Sequence, residues 1–243
     1  MKRILFALGM VGTACAALAW APHYLDAVTT DGEAELRCGT DFSGPLAGVY
    51  VEARDATVWG GACHISSEAV SAGRRAALGW SFTGGSHAGI GLAGTQVVAV
   101  LEGSSNLQGP EVFGGDEEPT ISSHVWIDAP SAQVREAALA FIAEVADLGS
   151  VLEVNQAKVT VEFEDDLFVM DVENSLSVRG EAMPDRSCCT MPESRWYSPL
   201  AKVEGSVVGN PSECRFEGVG SSLGRWAFEG ANSVFVADLG PMR

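Results

Sequence analysis

The sequence predicts an α+β fold dominated by strands, with antiparallel sheets and one main amphipathic helix over about 131–148. Three observations predict it. Short apolar or alternating runs recur along most of the chain. One segment alone carries helical periodicity. That helix does not alternate with strands, as a doubly wound α/β fold would require.

Taken in order, Val49-Tyr50-Val51-Glu52-Ala53-Arg54 alternates and predicts a first strand. Ala76 to Phe82 is largely apolar and Gln96 to Leu101 reads as a buried strand, with a glycine-rich turn over 84–94 between them. Residues 103–119, rich in Gly, Ser, Pro and acids, predict a solvated loop, and His124 to Asp128 a further strand. Ser131, after Pro130, is placed to cap the helix. Val134, Ala138, Phe141, Val145 and Leu148 then fall on one helical face, and Gly149 ends it. Strands are expected at 150–155, 157–163, 166–172, 175–181 and 200–208, with two more near the C-terminus. Asp165-Asp166 fits a hairpin turn.

The N-terminus has another character. Lys2 and Arg3 precede an apolar run from Ile4 to Ala19, in which Ala17-Leu18-Ala19 puts small residues at the −3 and −1 positions of a cleavage site. That is the anatomy of a secretory signal peptide over 1–19, which implies export to a periplasmic or extracellular space. Residues 20–45 form a lead-in segment and 46–243 a single domain. No later run approaches the 18 or so apolar residues that span a bilayer. Loss of the signal takes away two of 15 basic residues and no acid, so the net charge of −17 becomes −19. A charge of that sign excludes a nucleic-acid backbone as partner and disfavours anionic membranes.

Two motifs match a pattern but not its setting. Gly89-Ile90-Gly91-Leu92-Ala93-Gly94 fits the dinucleotide fingerprint, yet a strand and not a helix follows, so it is a turn. Gly220-Ser221-Ser222-Leu223-Gly224 fits a nucleophile elbow, yet no histidine lies downstream and Arg225 to Glu229 is strand-like. No acid–base or nucleophile constellation supports an enzyme. Trp59, Trp80, Trp126, Trp196 and Trp226 sit at strand spacing and are expected in the core. Arg74 and Arg75 are expected in ion pairs.

Sulfur and imidazole are concentrated in two short segments, Ala62-Cys63-His64 and Cys188-Cys189-Thr190-Met191. Thiolate, thioether and imidazole together suit copper(I), and thiolate with imidazole suits zinc. The candidate metal ligands are therefore Cys63, His64, Cys188, Cys189 and Met191, with His87 and His124 as more remote candidates. An oxidising compartment offers a different use for the same sulfur. Cys38, Cys63, Cys188, Cys189 and Cys214 are all disulfide candidates, for example Cys63 with one of the vicinal pair and Cys38 with Cys214. Adjacent cysteines pair poorly with each other. Structural disulfides, metal binding and thiol redox chemistry all remain open on the residues alone.

The run Ala62-Cys63-His64 with Glu68, then Gly73-Arg74-Arg75-Ala76-Ala77-Leu78-Gly79-Trp80, resembles a bacterial family catalogued as domain of unknown function 1326. So do Met183-Pro184-Asp185, Cys188-Cys189, Trp196-Tyr197-Ser198-Pro199-Leu200 and Asn232-Ser233-Val234-Phe235. The resemblance covers roughly 46–237. It implies that Cys63, Cys188 and Cys189 belong to one pattern and lie together, and it favours metal handling. Other members carry an N-terminal Cys-x-Cys and Cys-Pro-Cys cluster, which this chain replaces with Cys63 and His64 alone. The expectation is an exported protein that binds copper or zinc through clustered Cys and His. The alternative is a disulfide-stapled, non-catalytic binding or scaffold module with a protein or small-ligand partner.

Overall fold

A computed structural model of the chain describes residues 45–58, 73–108, 118–183, 197–228 and 232–240. All belong to one compact unit, Thr40–Arg243. The expected signal peptide, and the lead-in up to residue 44, lie outside the described residues.

The strands in chain order are β1 (Ala47–Arg54), β2 (Arg75–Gly84), β3 (Ser86–His87), β4 (Ile90–Gly91), β5 (Thr95–Gly103) and β6 (Ile121–Asp128). After the helix α1 (Ala132–Val145) come β7 (Ser150–Gln156), β8 (Val159–Glu164), β9 (Leu167–Val172) and β10 (Leu176–Ala182). The last are β11 (Val207–Phe216), β12 (Trp226–Ala227) and β13 (Val234–Leu239). One large sheet runs β7-β6-β5-β2-β1-β13-β11-β10-β9-β8, with β12 on β11; β3 and β4 form a small separate hairpin. The two ends of that path, β7 and β8, are consecutive in sequence, joined by Ala157-Lys158 alone. The sheet curls so that a covalent link ties its ends.

The expected antiparallel pairing holds for most of the sheet, with one exception. β6 and β7 pair in parallel, and parallel neighbours need a crossover that carries the chain back to the starting end. Helix α1 is that crossover. Its Ser131 cap accepts from the Val134 N–H at 3.3 Å, as expected. It ends at Val145 and not near 148, because Ala146 is extended and bridges Ala201. Lys202 completes the end: its N–H donates to the Val145 carbonyl at 2.7 Å and its Nζ to the Glu144 carbonyl at 3.0 Å. Gly149 then turns the chain into β7 at φ +58.

Period-2 alternation divides the central strands between two cores. Leu78, Trp80 and Phe82 of β2 and Val97, Ala99 and Leu101 of β5 face α1, where Ala138, Phe141 and Ile142 cover them. Ala77, Val98 and Val100 face the other way, onto Val161, Phe168, Met170 and Val178 from the curled-over half. Gly79 makes that approach possible. A Cβ there would lie 2.7 Å from Met170 Sδ and 3.0 Å from Val161 Cγ2. Trp80, Trp126 and Trp226 are core residues, as their spacing predicts.

The strand expected at 200–208 lies instead at Val207–Phe216. Pro211 and charged residues hide it in the sequence. The proline is tolerated because β11 bulges there: Arg179 pairs with Glu213 but Gly180 with Pro211, which leaves Ser212 over. The remaining turn expectations hold. Asp165 and Asp166, at φ +51 and +66, join β8 to β9, and Ala88 with Gly89 joins β3 to β4. Among the described residues no helix is long and apolar enough to cross a membrane.

Gly149→Ala is expected to lower stability by more than about 1 kcal/mol, because a Cβ there would sit 2.2 Å from the Ile121 carbonyl oxygen. Gly89→Ala, also at positive φ but with nothing within 4 Å, should lose less. Urea unfolding midpoints measure both, and a reversed order would contradict the geometry.

Candidate functional site

β1 alternates as the sequence predicts, but the polar members of the alternation point inward. Tyr50, Glu52 and Arg54 share one face of the strand, and all three are fully buried. The Tyr50 hydroxyl donates to Glu52 Oε2, which also accepts from the Leu200 N–H at 2.8 Å. Arg54 Nε donates to Glu52 Oε1 at 2.7 Å. Arg54 Nη2 donates to the Ser198 carbonyl at 2.8 Å and, at a longer 3.4 Å, to Gln108 Oε1. The guanidinium also lies 5.1 Å from the centre of the Tyr197 ring. Burial, and then the Glu52 carboxylate beside it, push the Tyr50 hydroxyl well above its ordinary pKa, so Tyr50 stays a donor. Arg54 Nη1 is buried with no partner among the described residues.

The chain around this ladder gathers at one end of the fold. Val58 donates to the Asn232 carbonyl at 2.7 Å and accepts from the Tyr197 N–H at 3.3 Å. Met183 donates to the Val208 carbonyl at 2.9 Å and packs against the cluster of Ala56, Val58, Tyr197, Val208 and Phe235. The Gly73 carbonyl accepts from Leu107 at 2.8 Å, and the Tyr197 hydroxyl lies 2.9 Å from where a Gly73 Cβ would stand. Val58 and Gly73 flank residues 59–72; Met183 and Tyr197 flank residues 184–196. Both segments therefore leave and rejoin the described fold in one neighbourhood.

Cys63, His64, Cys188, Cys189 and Met191 belong to those two segments and lie outside the described residues, as does Cys38. Cys214 is described. It is a free thiol on β11, buried in the core between the two halves of the sheet and apart from the cluster around Val58 and Tyr197. Burial, with smaller contributions from Asp55 and Glu213, pushes it from an ordinary 9.0 to about 12. His124 stacks on Trp126, ring centres 4.1 Å apart, and its Nε2 lies 3.0 Å from Asn155 Nδ2. His87 packs against Phe141 near Glu144. Among the described residues no group of three or more His, Cys, Asp or Glu is placed to hold a metal.

Arg75 pairs with Glu102 at 3.1 Å, as expected, while Arg74 Nε donates to the Gly103 carbonyl at 3.1 Å. The glycine pattern at 89–94 leads into strand β5, and that at 220–224 into β12, so neither has the helix its chemistry needs. The buried ladder is what sequence reasoning missed. Its trace was there in a Tyr, a Glu and an Arg two residues apart, opposite charges on one strand face.

A scan against protein-family models finds no match, and searches among curated proteins and among solved structures find none either.

Glu52→Ala leaves Arg54 buried without its carboxylate and is expected to cost about 3–5 kcal/mol. Glu52→Gln, which keeps an acceptor, should cost less in the same denaturant titration; equal losses would argue against the ion pair. Cys214 supplies a pH test. Folded protein holds the thiol proton up to about 12, whereas an exposed thiol releases it near 9.0, so this contribution to stability falls as pH rises between those values. Cys214→Ala should flatten that part of the curve of unfolding free energy against pH.

Proposed function

We propose that the protein is exported and binds a soft metal ion, copper(I) first and zinc second, through Cys63, Cys188 and Cys189, with His64 and Met191 as further donors. The observation that carries this reading is the shared neighbourhood of Val58, Gly73, Met183 and Tyr197. Cys63 is five residues beyond Val58, and Cys189 is six beyond Met183 and eight before Tyr197. An extended chain covers at most about 3.3–3.6 Å per residue, so donors on the two segments are within reach of one another. Thiolate and thioether select copper(I), and thiolate with imidazole also serves zinc. Binding releases thiol protons, so affinity should fall in acid. The overall charge of −17 also favours approach of a cation.

The same neighbourhood serves a second reading, a disulfide-stapled binding or scaffold module, in which these sulfurs bond each other. A free-thiol count separates the two. Equilibrium dialysis of the reduced chain against copper(I) should give about one bound equivalent. Cys63→Ser and Cys189→Ser should each weaken binding at least tenfold, and Cys214→Ala should leave it unchanged. Absent binding, or binding indifferent to Cys63 and Cys189, would sink the metal reading. One or no free thiol in the native protein, together with absent binding, would favour the stapled module.

A further inference from the structure

β7 is an edge of the large sheet that the fold leaves open. Among the described residues it pairs with β6 alone, so one row of its backbone N–H and C=O groups faces outward. β8, at the other end of the sheet, is an edge too, but a protected one. It turns Val159 and Val161 into the core and sets Glu162 and Glu164 toward solvent. β7 has the reverse character. Val151, Leu152 and Val154, exposed by 44, 51 and 41%, are three of the five large apolar side chains left exposed among the described residues. The strand holds no proline, and Glu153 is its one charge.

The register with β6 says which side each residue takes. Val151 and Val154 stand opposite Ser123 and Val125, on the face that α1 covers farther in. There they border an open groove of about 720 Å³, whose other walls include Val125, Leu139, Ala143 and Leu148. Leu152 is the extra residue of a bulge between the Ser123–Val151 and His124–Glu153 pairs. Glu153 stands opposite His124 on the other face, half-exposed.

We infer that β7 takes an extended segment of another protein as an added strand, and that this segment alternates apolar with basic residues. The outward backbone groups call for an extended main chain, which a helix or a compact ligand does not offer. Side chains of an added strand alternate between the two faces of the sheet. Those on the α1 side enter the groove beside Val151 and Val154, so they are apolar. Those on the other side stand next to Glu153, so they are Lys or Arg. Glu144 and Asp147, exposed at the groove, favour the same sign. Lys202 there is engaged by the Glu144 carbonyl, and Lys158 lies beyond the end of the strand. A second copy suits the edge less well, because it would bring the same carboxylates together on two chains of −17 each. This edge is independent of the proposed metal site, since no residue of the groove belongs to the cluster around Val58 and Tyr197.

The test uses the full chain and a fluorescein-labelled nine-residue peptide in which valine alternates with arginine, followed by fluorescence anisotropy. Binding should saturate at about one equivalent. A peptide of the same composition, its valines and arginines in separate blocks, should bind about tenfold more weakly, which separates strand pattern from bulk charge. N-methylation of every valine in one peptide, and of every arginine in another, removes the amide donors from one edge of the strand or the other. One of these two should lose binding and the other keep it within about threefold. Val154→Lys, at an exposed position, should weaken binding about tenfold with the circular-dichroism spectrum unchanged. Glu153→Lys should weaken the valine–arginine peptide about tenfold and leave a valine–glutamine peptide within about twofold. Absent saturation, equal binding of the blocked peptide, equal effects of the two methylations, or indifference to Val154→Lys or Glu153→Lys would each overturn the inference. So would a dimer of the unaltered chain, seen by sedimentation velocity, that Val154→Lys dissolves, because a second copy would then hold the edge.

Discussion

Glu52 stands near the middle of the sheet with no access to water, and three donors converge on its two carboxylate oxygens: the Tyr50 hydroxyl, the Leu200 amide and the Arg54 guanidinium. The Leu200 amide and the Arg54 guanidinium tie other parts of the molecule to β1. Leu200 brings in the segment that later supplies Lys202 to the end of the helix, and Arg54 reaches on to Ser198 and Gln108. The pair also fixes strand register. A slip of β1 by one residue would turn Glu52 and Arg54 toward the core of Val98, Met170 and Val236, where no partner waits. Buried ion pairs add little net stability over apolar replacements, so uniqueness of arrangement is the role that suits this one.

Two elements run the length between the cluster around Val58 and Tyr197 and the opposite end of β1. β1 has Leu46 before its start and Val58 beyond its end, and the 197–205 segment goes from Tyr197 past the Ala146–Ala201 bridge at the end of α1. The ladder of Tyr50, Glu52 and Arg54 lies between, and it holds these two elements against each other. The spacing of that frame is set by side chains that never meet solvent.

Much of this was legible in the residues. Alternation found β1, apolar runs found β2 and β5, His124 to Asp128 marked β6, and the helix expected at about 131–148, with its Ser131 cap, followed from a serine, a proline and one apolar stripe, though it stops at Val145. Twin aspartates at 165–166 marked their hairpin. What failed did so for physical causes. β11 was obscured because a bulge excuses Pro211, and a bulge depends on the partner strand. The parallel β6–β7 pair was obscured because a lone helix between strands does not declare whether the chain returns beside its starting strand. The burial of the ladder on β1 was not legible, since period-2 patterning gives two faces without saying what will cover them. The sulfur-rich segments are conspicuous in sequence, yet their flanks meet only through long-range pairing that no local pattern encodes.

β1 lies between β2 and β13, and its pairing with β13 joins residues 48–53 to 239–234, nearly the first and the last strands of the domain. On the ribosome, therefore, the middle of the sheet keeps an open edge until the final strand has emerged. β1 lacks one of its two sheet neighbours until β13 is available. Such a domain completes its central sheet only once β13 has left the ribosome.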